Sequence, residues 1–241
     1  MPDTNSGMLL NCIESCRDML LAHVAQGGVS VPDYLDVAQL KQAIAHFTRI
    51  LQAISAAPAN LSHDEISDLG EHGTQFISEL QAAVQECGLD EAYARLIEAQ
   101  ILFGLWVADH DGEIRVLEPI VDALANVANH ATEPEQLEVM SRHAANIINA
   151  VAPHIKQDLD NTNPGRPWRL LNLNYGIIAT RSHNPELMRT SFATLMHNIP
   201  DDVAEFFAEG MKQMDIINYP PQVREVMEDY FKQCHKPQTL H

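Results

Sequence analysis

The stretch RPWRLLNLNYGIIATRS, Arg166 to Ser182, decides the fold because its apolar residues point two ways. At about 100° per residue, Trp168, Leu171, Tyr175 and Ile178 fall on one face of a helix, and Leu170, Leu173 and Ile177 fall on the opposite one. Such a pattern predicts a helix sandwiched between two others. Two polar edges separate the faces, one carrying Arg169, Asn172, Gly176 and Thr180, the other Asn174 and Arg181. An edge of that kind is where a layered helical protein can meet a partner.

The surrounding chain supports a helical reading. Its 241 residues are 46% hydrophobic and 20% charged, a globular balance with enough length to bury a sizeable core. Aromatic residues make up 6%, and alternating Val, Ile and Thr runs are scarce, which disfavours sheet. An all-α fold of about ten helices in stacked antiparallel hairpins is expected, an α-solenoid or α-α superhelix.

Charge narrows the partners. The formal net charge of −18 argues against a nucleic-acid phosphate backbone, which needs clustered Lys and Arg. Residues 1–130 hold 19 acidic and 5 basic side chains, whereas 131–241 hold 14 and 10. This polarity suits a basic partner for the first half, or contact between copies of the chain in a homo-oligomer. Plain solubility accounts for it equally well.

The residues available for chemistry are poorly placed for it. Four cysteines (Cys12, Cys16, Cys87, Cys234) form no CxxC, and Cys12 and Cys16 at i, i+4 lack a matching His or Cys pair, so they read as core. Twelve histidines include no HxxxH and no ExxH. The turn Asp109-His-Asp-Gly-Glu113 alternates acids like a calcium loop, but Gly112 and Ile120 stand where the EF-hand spacing does not want them. No GxSxG, Walker-type or GxGxxG motif occurs. No catalytic residue, metal ligand or cofactor is therefore assigned. The first residues lack a basic, apolar leader and no apolar run nears ~20 residues, so the expected setting is the cytoplasm, away from membranes.

In chain order, helices are expected over about 7–26, from Pro32 to Ala56, from Ser62 to Cys87, and from Asp90 to Ala108. Ser62 and Glu65 have capping-box spacing. A fifth helix is expected over 114–129 and a sixth over 134–156. The loop QDLDNTNPGRP, residues 157–167, then separates an acidic N-terminal helical region (1–156) from a C-terminal helical-repeat region (168–241). The second region is expected to continue the first, since the helical pattern runs through both. Four shorter helices follow the loop, over 168–182, 185–198, 201–217 and 221–233, joined by turns that suit antiparallel neighbours.

Two of these match at a period of 35 residues: Pro185-Glu-Leu-Met-Arg189 over Pro220-Pro-Gln-Val-Arg224 aligns Met188 with Val223, Phe192 with Met227 and Leu195 with Tyr230. Their Pro-x-x-apolar-Arg opening resembles the second helix of a HEAT repeat. Trp168-Arg-Leu-Leu-Asn172 is similar to the Trp-x-x-x-Asn signature of armadillo repeats, and Trp168, Leu171 and Tyr175 fit the start of a tetratricopeptide repeat. These resemblances converge on an α-solenoid. The armadillo likeness implies that Asn172, about 40° round from Trp168, would pair with the backbone of an extended peptide, although the signature occurs once where a peptide groove repeats it.

The expected function is thus a non-enzymatic scaffold or adaptor that binds a partner protein or peptide through Trp168, Arg169, Asn172, Asn174, Gly176 and Arg181. The alternative is a helical enzyme or small-ligand bundle with a pocket near Tyr175, Arg181 and His183.

Overall fold

The computed structural model describes residues 4–25, 36–57, 61–159 and 162–235. Within them the chain is all-α, with eleven helices and no strand. They are α1 (Thr4–Ala25), α2 (Val37–Ala56), α3 (His63–Glu86), α4 (Asp90–Asp109), α5 (Glu118–His130), α6 (Pro134–Ala150), α7 (Pro153–Lys156), α8 (Pro167–Arg181), α9 (Pro185–Asn198), α10 (Val203–Ile216) and α11 (Pro221–Cys234). No helix among the described residues is long and apolar enough to cross a membrane. The expected start of the second helix at Pro32 lies outside the described residues.

Contacts divide the chain into two compact units. One comprises residues 1–127 with 149–152, the other 128–148 with 153–241, so the loop at 157–167 lies inside the second.

The first unit is built on α4, which packs against α1 and α3. From Ala99 to Val107 every residue of α4 is buried, the polar Gln100 included, which places this helix inside the unit rather than on its surface. Phe103 stacks on Trp106 and meets Phe47 edge-on. The capping box forms: Ser62 Oγ accepts from Glu65 N–H at 3.3 Å, and Glu65 Oε2 accepts from Ser62 N–H at 2.8 Å. The Asp109–Glu113 turn is closed by Gly112 N–H donating to the Val107 carbonyl at 2.9 Å and Glu113 N–H to Ser67 Oγ at 2.9 Å.

The fifth helix starts four residues later than expected, and the sixth breaks. Ile114 forms an isolated parallel bridge with Val151, donating to Ala150 at 2.8 Å and accepting from Ala152 at 3.0 Å. Pro153, which has no N–H to continue the ladder of α6, follows at once and opens α7.

In the second unit α8 packs on α9, α10 on α11, and α11 on α9. The aligned positions Met188 and Val223 are both fully buried, as are Phe192 and Met227 to within 2%, while Tyr230 is half-buried and its counterpart Leu195 is buried. Phe192, Phe206, Phe207 and Tyr230 form an edge-to-face cluster that joins α9, α10 and α11.

Close approach of α3 to α4 depends on Gly73: a Cβ there would stand 2.3 Å from the Phe103 ring and 3.0 Å from Phe47. Alanine normally gains about 1 kcal/mol over glycine in a helix, but overpacking costs about 1–3 kcal/mol. Gly73→Ala should therefore lower the unfolding midpoint, and Gly7→Ala, whose Cβ meets nothing within 4 Å, should not. Thermal unfolding of both variants checks this; an unchanged or raised midpoint for Gly73→Ala would contradict the packing.

Candidate partner-binding groove

The first apolar face of α8 behaves as its pattern requires. Trp168, Leu171, Tyr175 and Ile178 are all 3% exposed or less. The opposite face does not: Leu170 and Leu173 are only half-buried, and Ile177 is 46% exposed. The expectation that a second helix covers this face is corrected by the position of α10. That helix meets α8 along its Gly176 edge, where the Phe206 ring would lie 2.7 Å from any Cβ.

A charged cluster holds α10 in that position. Arg166 donates through Nε to Asp158 at 2.6 Å and through Nη2 to Asp202 at 2.9 Å, and Arg169 Nε donates to the other oxygen of Asp202. Carbonyl oxygens of Asn163 and Pro164 accept from Nη1 of Arg166 and Arg169 at 3.1 Å each. The four side chains are only 9–18% exposed. The hydrogen bond to Asp158, with both carboxylates nearby, pushes the Arg166 pKa up and keeps it charged.

Between α8, α10 and α11 a groove of 510 Å³ remains. Leu173, Ile177, Phe206, Met214, Ile217 and Met227 give it an apolar lining, and Arg169, Arg181, Glu205 and Glu209 border it. Ile217 is 48% exposed, as Ile177 is 46%. Exposed aliphatic side chains gathered at a concave site are the informative kind of apolar surface.

The six residues expected to bind a partner are divided by this geometry. Arg169 and Arg181 border the groove. Trp168 is buried in the core. Asn172 is fully buried, its Nδ2 donating to the Trp168 carbonyl at 2.8 Å and its Oδ1 accepting from Asn198 at 2.8 Å. Gly176 lies beneath Phe206 and Leu195, and Asn174 is half-buried outside the groove lining. Arg181 also ties the unit together internally, donating to the carbonyls of Ala128 and Ala131, both at 2.7 Å, and so satisfying the end of α5.

Of the alternative trio, Arg181 alone borders the groove. Tyr175 is 2% exposed, with burial pushing its pKa up. His183 is exposed at φ +57° and packs edge-on with Tyr219.

Elsewhere, no group of three or more His, Cys, Asp or Glu among the described residues is placed to hold a metal ion. Burial pushes the Cys12 and Cys16 thiols up to about 12, with the charge of Glu98 adding to the shift at Cys12. Comparison with protein-family models, curated proteins and solved structures finds no match for this chain. The fold and groove define the class: an all-α protein with an open apolar channel in one helical wall.

Asn172→Ala should destabilise the protein by about 1–3 kcal/mol, because it removes the acceptor of the Asn198 amide and empties a fully buried site. Asp202→Ala should cost more, about 3–5 kcal/mol, by leaving two largely buried guanidinium groups short of a counter-charge. Urea unfolding measures both; a loss under about 0.5 kcal/mol for Asp202→Ala would show the cluster to be an ordinary surface pair.

Proposed function

We propose that this protein is a non-enzymatic interaction scaffold of helical-repeat type, which captures a partner protein in the groove between α8, α10 and α11. The observation that carries this reading is the open second face of α8. A helix that presents Leu173 and Ile177 to a concave, apolar channel, beside Phe206, Met214 and Met227, offers what a partner's anchor side chains need.

Energetics favours an occupant for this channel. Each fully buried aliphatic side chain is worth about 1.5–3 kcal/mol over its exposed state, so covering the groove recovers free energy that the isolated unit leaves in water. The cost of association offsets part of this gain, so the groove suits a few deep anchors better than a broad flat contact. The matching burial of Met188 with Val223 and of Phe192 with Met227 supports a repeat relation between α9 and α11.

Ile177→Glu tests the role without touching the core, since Ile177 is 46% exposed. The variant should retain the wild-type circular dichroism and melting curve. Proteins retained by wild type from native extract should be reduced by about 30-fold on the variant, the effect of losing ~2 kcal/mol at a central anchor. Identical retained sets would contradict the proposal.

A further inference from the structure

The chemistry of the groove's walls says more about its occupant. Asp202, just before α10, meets Arg169 in the first turn of α8, and Ile217, just past α10, shares the groove with Arg181 at the end of α8. The two walls therefore run side by side in the same direction. From Arg169 to Arg181 the α8 wall is about 18 Å long, or about three helical turns.

An extended peptide fits this channel badly. Its backbone N–H and C=O groups need partners, and the floor provides side chains of Leu173, Ile177, Phe206, Met214 and Met227. The Asn172 amide, which would have paired with such a backbone, is buried and engaged inside the unit. A helix brings its own backbone hydrogen bonds and can lay an apolar stripe on the floor.

Charge separates the two walls. On α8, Arg169 is matched by Asp202, and Arg181 is engaged by the carbonyls of Ala128 and Ala131. On α10, Glu205 and Glu209 stand one turn apart on the exposed border. Glu205 has no ion-pair partner among the described residues. Hydrogen bonds from Gln213 and Lys212 hold the Glu209 pKa below its ordinary value, so it is a carboxylate at neutral pH. Lys212 neutralises part of that charge from outside the groove lining. Residues 131–241, which carry the groove, hold 14 acidic against 10 basic side chains, a net negative charge that also favours cationic segments.

We infer that the groove takes an amphipathic helix of about three turns from a partner protein, its apolar stripe on Leu173, Ile177 and Ile217 and Lys or Arg on its flank against Glu205 and Glu209. This rests on the scaffold reading and specifies the chemistry of the partner.

The test uses the full chain and synthetic peptides that share one Leu/Met stripe. One carries Lys on both flanks, a second Gln, a third Glu, and a fourth keeps the Lys flanks but has a central Pro that breaks the helix. Fluorescence anisotropy measures binding to wild type, to Ile177→Glu and to Glu205→Gln/Glu209→Gln. The Lys peptide should bind wild type at least about 10-fold more tightly than the Glu peptide, and the double variant should shrink that gap. The Ile177→Glu variant and the Pro peptide should both lose binding. Equal binding of Lys, Gln and Glu peptides would overturn the basic flank and leave the groove reading intact. Undiminished binding of the Pro peptide would overturn the helical occupant. Binding of no peptide, or binding indifferent to Ile177→Glu, would overturn the groove reading as well.

Discussion

Asp202 accepts from two guanidinium groups of the segment that begins α8, and this shared carboxylate sets the geometry of the second unit. Burying charge is expensive, and a paired cluster of this kind gives position more than net stability. Here the position is specific. With its first residues tied to Arg166 and Arg169, α10 runs beside α8, seats Phe206 over Gly176, and cannot also roll over Leu173 and Ile177. The open channel is a consequence of where the ion cluster sits.

The same constraint explains why a wide-faced helix is compatible with a groove. The first face of α8 is fully buried and supplies the folding energy. Its second face is left for use. Proteins retain exposed apolar surface of this sort mainly where something covers it, and the proposed scaffold role follows from that physical argument together with the acidic border on α10. The engaged Asn172 redirects the reading from an extended peptide to a helix that supplies its own hydrogen bonds.

Local chemistry made much of the fold legible in the sequence. Ser62 and Glu65 announced the start of α3, Gly88 takes the positive φ of +68° that a glycine after a helix permits, and Asn184 with Pro185 opens α9, the Asn side chain accepting from two backbone N–H groups. The apolar second half of α4, Ile101 to Val107, is buried throughout and packs at the centre of the first unit. What periodicity could not supply was distance. The break after Ala150 depends on Ile114, and the carbonyls that engage Arg181 lie about fifty residues away, so neither leaves a local trace. For the site, Arg169 and Arg181 were legible as a polar border, but Leu173 and Ile177 read as core because a pattern of two apolar faces does not say whether both are covered by the chain itself. Met214, Ile217 and Met227 were missed for the same reason; the signal was present as apolar positions on α10 and α11 but pointed equally to a buried contact.

The openness of the second face of α8 is the claim on which the rest stands, and site-specific thiol labelling measures it directly. In a background with Cys234→Ser, Ile177→Cys should react with a methanethiosulfonate reagent in the native protein at a rate close to that of a free thiol, while Leu171→Cys should react only after unfolding. Protection of the introduced thiol of Ile177→Cys in the native, isolated protein would mean that this face is already covered, and would contradict the open groove.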